Sequence, residues 1–287
     1  MLAAACWAVA ALFSAPASQR LGAIAFSRWR MLFAAGLLWS IAMASGGWRS
    51  LDASAFGLLA LSGLIGIFIG DTALFACMNR LGPRRSGVLF ATHAMFSAVF
   101  AWAFLGESLW GWALVGSGLL VAGVMLAILK GRRDDESHAW EQTRGRLAIG
   151  VALGLVAALC QSIATLMLKP LMASGIDAIA GSAMRMSTAF AAHVLLWLVW
   201  RRAKAVQPMR WREAAQVFGS AAIAMALGMT LILQAMKDGQ AGLVAILSSV
   251  TPIVVLPLLW LVYRRRPAWG AWAGAVLAVV GTGLVLG

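Results

Sequence analysis

The chain has 287 residues, 62% of them hydrophobic and only 11% charged, with mean hydropathy +0.87. A soluble domain carries about 25% charged residues, so an ordinary soluble fold is excluded. The formal charge of +13 would suit nucleic acid in a soluble protein. Here, however, Lys and Arg fall in short blocks between apolar runs, such as Arg132-Arg133, Arg201-Arg202 and Arg264-Arg265-Arg266, with no basic face of interleaved aromatics. The lipid bilayer, not nucleic acid, is the expected partner.

Ten apolar runs follow one another at 2–16, 25–45, 54–79, 86–105, 110–129, 147–169, 178–200, 213–236, 240–262 and 268–286. Each is predicted to be a spanning helix, because lipid offers the backbone no hydrogen-bond partner and about 20 residues cross the hydrocarbon core. The first run has no basic segment ahead of it and has a counterpart later in the chain. It is expected to be a retained helix, not a cleaved signal. Cys6, Cys77 and Cys160 all lie inside apolar runs without metal-ligand spacing, so they are expected to be small buried hydrophobes. No nucleotide-binding loop is present, and no metal or other cofactor is expected.

The one long polar stretch, 130–146, divides the chain into residues 1–129 and 147–287, five helices each. The halves look like repeats. Ala3, Ala4, Cys6, Ala10, Leu12 and Pro16 recur as Ala157, Ala158, Cys160, Ala164, Leu166 and Pro170. Ala25, Ser27, Arg30, Met31 and Ala34 recur as Ala180, Ser182, Arg185, Met186 and Ala189. Trp102, Gly116, Leu119, Val121, Gly123 and Leu126 recur as Trp260, Gly274, Leu277, Val279, Gly281 and Leu284. With an odd number of helices per half, the second half must enter the membrane from the opposite side. The expected fold class is therefore an all-α integral membrane protein, ten transmembrane helices arranged as two inverted five-helix repeats. The loops after helices 1, 3, 5, 7 and 9 hold seventeen Lys and Arg; the others hold only Arg49, Lys169 and Lys237. The positive-inside rule then places both termini outside the cytoplasm, in a plasma (inner) membrane protein.

Gly70-Asp71, Arg80-Leu81-Gly82, the run from Pro83 to Leu105, Gly106-Glu107-Ser108-Leu109 and the Gly116 to Gly123 stretch resemble the EamA module of the drug/metabolite transporter superfamily. Arg30, near the start of the second helix, is similar as well. The resemblance implies a duplicated five-helix plan over essentially the whole chain, and export of amino acids, metabolites or drugs. Where the family has Pro in the fourth helix this chain has Ala94, although the second repeat keeps Pro252. Where the first repeat has Glu107 the second has Arg265. Members are often drawn with both termini cytoplasmic, against the charge count.

Asp71 and His93 each lie eleven residues from Gly82, on opposite arms of one turn. At 1.5 Å per residue each is expected about 16 Å deep, where an ionisable side chain usually faces a cavity or a partner. They could meet as a proton-coupling pair or as a structural hydrogen bond. Thr251 is the repeat partner of His93, with Ser248 and Ser249 a turn earlier and Pro252 next; these hydroxyls line a cavity or repair a helix opened by proline. Gln161, Ser162 and Thr165 form a polar stripe, and Trp7 is the repeat partner of Gln161. The expected cavity wall is Trp7, Asp71, His93, Gln161, Thr165, Ser248 and Thr251, on helices 1, 3, 4, 6, 8 and 9. Arg30 and Arg185 are expected to snorkel to headgroups. The glycine pairs Gly116/Gly123 and Gly274/Gly281 are expected to permit close helix contact.

These features predict a secondary transporter for a small-molecule substrate, with a proton as possible partner, acting as a monomer or homodimer. An intramembrane enzyme would need a nucleophile with a base, or metal ligands, inside the bilayer. His138 falls in the central loop, His193 has no evident acidic partner, and no His-Glu-x-x-His or Gly-x-Ser-x-Gly occurs. A channel would need a filter loop, and none is recognisable.

Overall fold

The computed structural model describes residues 1–107, 111–130, 146–200, 208–251, 253–254, 258 and 269–286. The central loop with His138, the basic blocks at 132–133, 201–202 and 264–266, and Pro252 lie outside the described residues. Among the described residues every regular element is helical. In chain order these are α1 (Leu2–Leu21), α2 (Ala23–Ser45), α3 (Ala53–Gly82), α4 (Arg85–Leu105) and α5 (Trp112–Lys130) in the first half. The second half has α6 (Leu147–Ala173), α7 (Ala178–Val199), α8 (Trp211–Asp238), α9 (Ala241–Ser248) and α10 (Trp269–Leu286).

Six of these helices, α1, α3, α4, α6, α7 and α8, are long and apolar enough to cross a membrane. Helices α5 and α10 carry shorter apolar cores, Leu114–Gly123 and Trp272–Gly281. Helix α2 has the length, but Arg28 and Arg30 dilute its apolar character. Helix α1 runs five residues past its expected end, through Pro16 to Leu21. An apolar surround tolerates a proline inside a helix because neighbouring groups re-satisfy the freed carbonyl. Between α3 and α4 the chain turns at Gly82, whose φ of 83° lies where a Cβ would be strained. Asp52 caps the start of α3 by accepting from the Ala55 N–H at 2.7 Å, and Asp177 caps α7 by accepting from Ile179 and Ala180.

Each helix packs on a partner in the other half, and the pairs run antiparallel. Arg28, early in α2, lies over Trp197, late in α7; Trp39, later in α2, donates to Ser187, earlier in α7. In α5 and α10, Gly123 faces Gly274 and Ala278 while Gly281 faces Gly116 and Leu120. The end of α4 meets the start of α9, with Ala98 and Ala101 against Gly242. Helices α1 and α6 exchange roles: α1 packs on α8, with Ser14 and Ser220 hydroxyls 2.8 Å apart, and α6 packs on α3, where the Ser62 hydroxyl donates to Ala164 O at 2.8 Å. Even local irregularities recur. Helix α3 widens into a π-helical stretch at Gly63–Asp71, and α8 does so at Ala221–Gly228. Gly70 then abuts Cys160 as Gly228 abuts Cys6, its repeat counterpart.

The residues buried between helices are mostly small, with Ala4, Ala8, Ala34, Ala94, Ala158 and Ala183 fully enclosed, whereas Trp102, Phe104, Val199 and Trp269 point outward. That is the reverse of a water-soluble packing gradient. Where lipid tails are as apolar as Leu, helices associate by close van der Waals contact, which small residues allow.

Candidate functional site

A cavity of about 190 Å³ lies where the two halves meet. Its wall draws on α1 (Trp7, Ser14), α2 (Arg30), α3 (Gly66, Asp71, Phe75), α4 (Phe90, His93), α6 (Gln161), α8 (Met225, Met229) and the end of α9 with the residues just after it (Ser248, Ser249, Thr251). Most of this surface is apolar, with a few polar groups converging on it, the usual character of a small-molecule pocket.

The π-helical stretches shape two opposite walls. A π turn frees carbonyls from the regular ladder and is often found at functional sites. In α8 the Trp7 indole donates to Ala224 O at 3.0 Å, pinning α1 against α8. In α3 the π stretch ends at Asp71, so that its carboxylate faces the cavity instead of continuing the helix surface.

Asp71 is held from outside its own hairpin. Arg30 Nη1 donates to Asp71 Oδ2 at 2.6 Å. The Arg30 guanidinium lies over Phe75 at 5.0 Å and Phe26 at 5.9 Å, and those two rings meet edge to face at 4.6 Å. A cation over aromatic faces recovers part of its lost hydration. Arg185, the repeat partner of Arg30, is 1% exposed and acts electrostatically on the same carboxylate. Neither arginine reaches headgroups, which corrects the snorkelling expectation. Helix α2 begins two residues before its apolar run, at Ala23, and α7 begins with its run at Ala178, so each arginine is the eighth residue of its helix and is carried inward, where Asp71 offers a counter-charge.

His93 lines the same cavity and follows a break in α4 at Thr92. The Ser162 hydroxyl ties α6 to α4 just past that break, its one proton shared between His93 O at 2.8 Å and Ala158 O of its own helix at 3.0 Å. Phe90 flanks the imidazole, ring centroids 5.0 Å apart. Thus Asp71 and His93 share a wall, while the hydrogen bond to Asp71 comes from Arg30.

Gln161, Ser248 and Thr251 also face the cavity, and Thr165 stands behind Gln161, bonded to it through Gln161 Nε2 at 3.3 Å and Gln161 O at 2.7 Å. The hydroxyls of Ser248, Ser249 and Thr251 donate to carbonyls of their own helix, at Ala245, Ile246 and Ser248. They repair the helix and line the cavity at once, their protons spent on the backbone and their oxygens left as acceptors. His193 finds a partner in Thr72, with Thr72 Oγ1 and His193 Nε2 3.3 Å apart, and packs on Phe68.

The group missed as a site component is the arginine pair. A signal was present: each arginine recurs in the other repeat, and Arg30 is the eighth residue of α2, about 10 Å in from the helix start at 1.5 Å per residue.

Compared with known proteins, the chain matches the EamA-like transporter family over residues 1–129 and 148–287. None of the curated proteins matches it. A solved crystal structure superposes with a TM-score of 0.77, covering 99% of this chain and 93% of the other at 16% sequence identity. At that identity the likeness is one of fold.

Proposed function

Because the chain belongs to the EamA-like transporter family, we propose that this multi-pass membrane protein is a secondary transporter. It exports small metabolites, amino acids or drug-like compounds by alternating access around the cavity between its halves, without ATP and without chemistry on the substrate. The observation that carries this is the cavity itself: about 190 Å³, lined from both repeats, mostly apolar with converging polar groups. The proposal includes ten spans in two inverted repeats. The antiparallel pairing of α2 with α7, α4 with α9 and α5 with α10 supports it, since each helix lies beside its own repeat counterpart, as an axis in the membrane plane requires. Coupling to protons through His93 and Asp71 on the cavity wall belongs to the same proposal.

The test is uptake into liposomes containing the purified protein, with an imposed pH gradient and a panel of amino acids and small organic compounds. Saturable flux that follows the gradient, and that in His93→Ala persists without following it, is the expected result. Unsaturable conductance would mark a channel, and flux indifferent to pH in both proteins would remove the proton from the mechanism.

A further inference from the structure

The buried charges around the cavity do not balance. Of the ten acidic residues, Asp71 and Glu213 fall within apolar runs, and of these two Asp71 is on the cavity wall. Against it stand Arg30 and Arg185, 4% and 1% exposed. One carboxylate facing two guanidiniums leaves a net positive charge in a low-dielectric interior, a costly state unless a further anion answers it.

The donors tell the same story. Arg30 gives Nη1 to Asp71, but Arg30 Nε, Arg185 Nε and Arg185 Nη2 are buried with no acceptor among the described residues. Arg30 is on the cavity wall, and Arg185 lies behind it at the wall residue Gly66: Arg185 Nη2 stands 3.4 Å from where a Cβ on Gly66 would be.

Resting on the transport reading, we propose that the cavity is an anion site, and that the molecule carried bears a carboxylate which docks on Arg30, with the charge of Arg185 behind the Gly66 wall adding to the attraction. A guanidinium presents parallel N–H donors that match the two oxygens of a carboxylate. Asp71 keeps the pair together when the site is empty and limits the excess to a single charge, so that a monoanion neutralises it. The rest of the ligand is apolar and small. Trp7, Phe75, Phe90 and Met229 line the remaining space. A cavity of about 150 Å³ accepts benzene, so this one, somewhat larger, takes a body of one ring or its equivalent beside the headgroup.

Benzoate, benzamide and benzylamine, alike in size and different in charge, test this on the purified protein by thermal shift and tryptophan fluorescence. Benzoate is expected to bind at least tenfold more tightly than benzamide. Arg30→Lys keeps the charge and loses the fork, and should weaken benzoate about tenfold. Arg185→Met should abolish the preference for benzoate over benzamide while raising the melting temperature of the ligand-free protein, because an unbalanced buried charge is gone. Equal binding of benzoate and benzamide, tighter binding of benzylamine, or unchanged benzoate affinity in Arg185→Met would each overturn the anion site. The wild-type comparison decides the matter even where a variant fails to fold. Liposome exchange separates this proposal from the one beneath it. If benzoate binds but never crosses, the site stands and transport falls; if benzamide or benzylamine crosses saturably and benzoate neither binds nor crosses, transport stands and the anion site falls.

Discussion

The guanidinium of Arg30 donates to the carboxylate of Asp71 across 2.6 Å, joining α2 to the last residue of the π-helical stretch in α3. Both side chains are largely shielded, at 5% and 14% exposure. Removing one partner of such a pair leaves the other buried and unbalanced. Asp71→Asn is therefore expected to destabilise the fold by about 3–5 kcal/mol, since two guanidiniums then lose their common counter-ion. Adding Arg30→Met to that variant should recover part of the loss. Unfolding midpoints of the two single variants and the double variant measure it; simple additivity would mean the pair does not act as a unit.

Glu107, at the end of α4, accepts from the Ala241 N–H at 2.8 Å and the Gly242 N–H at 3.0 Å, capping α9 from the opposite half of the protein. Helix N-termini favour a negative group. Glu107→Ala should cost about 1–2 kcal/mol, as loss of a helix cap does, and Glu107→Gln, which still accepts hydrogen bonds, should cost less. Limited proteolysis near the start of α9, faster in the alanine variant, would report the loosened junction.

The crossing of α5 and α10 depends on glycine. A Cβ on Gly123 would stand 2.6 Å from Ala278 N and Gly274 O, and one on Gly281 would stand 2.5 Å from Gly116 O. These neighbours are backbone and cannot swing aside. Gly123→Ala and Gly281→Ala should each destabilise by about 1–3 kcal/mol. Gly118, with nothing within 4 Å of an added Cβ, should accept alanine without loss. Thermal unfolding of the three variants makes the comparison, and equal effects at 118 and 281 would argue against close packing.

Seventeen Lys and Arg on alternate loops against three on the others predict that residues 130–146 face the cytoplasm. A Ser137→Cys variant should stay unlabelled by an impermeant thiol reagent in intact cells and react after permeabilisation. Labelling in intact cells would reverse the orientation.

The helices were legible because they obey a one-dimensional rule. Lipid forces a spanning backbone to satisfy itself, so an apolar run of sufficient length reads as a helix wherever it lies. The repeat was legible too, through Arg30 and Arg185, Cys6 and Cys160, and the glycines of α5 and α10. Counting residues put Asp71 and His93 equally far from the turn at Gly82, and the cavity has both on its wall. Direction around a helix does not follow from counting once the turn changes: the π-helical stretches in α3 and α8 rotate everything beyond them relative to a regular helix. Thr165, one turn on from Gln161 along the same face, is held behind the wall by its hydrogen bonds to Gln161.

The partner of a buried charge was decided by tertiary structure alone. Hydropathy weighs Arg30 and Arg185 as costs to be carried to the membrane surface. Only the meeting of α2, α3 and α7 supplies the carboxylate that lets both stay inside. The sequence by itself determined the helices and their duplication, because these depend on local composition and spacing. Which polar groups meet, and with what net charge, depended on how helices far apart in the chain pack, since an ion pair is a relation in space that no single run of residues contains.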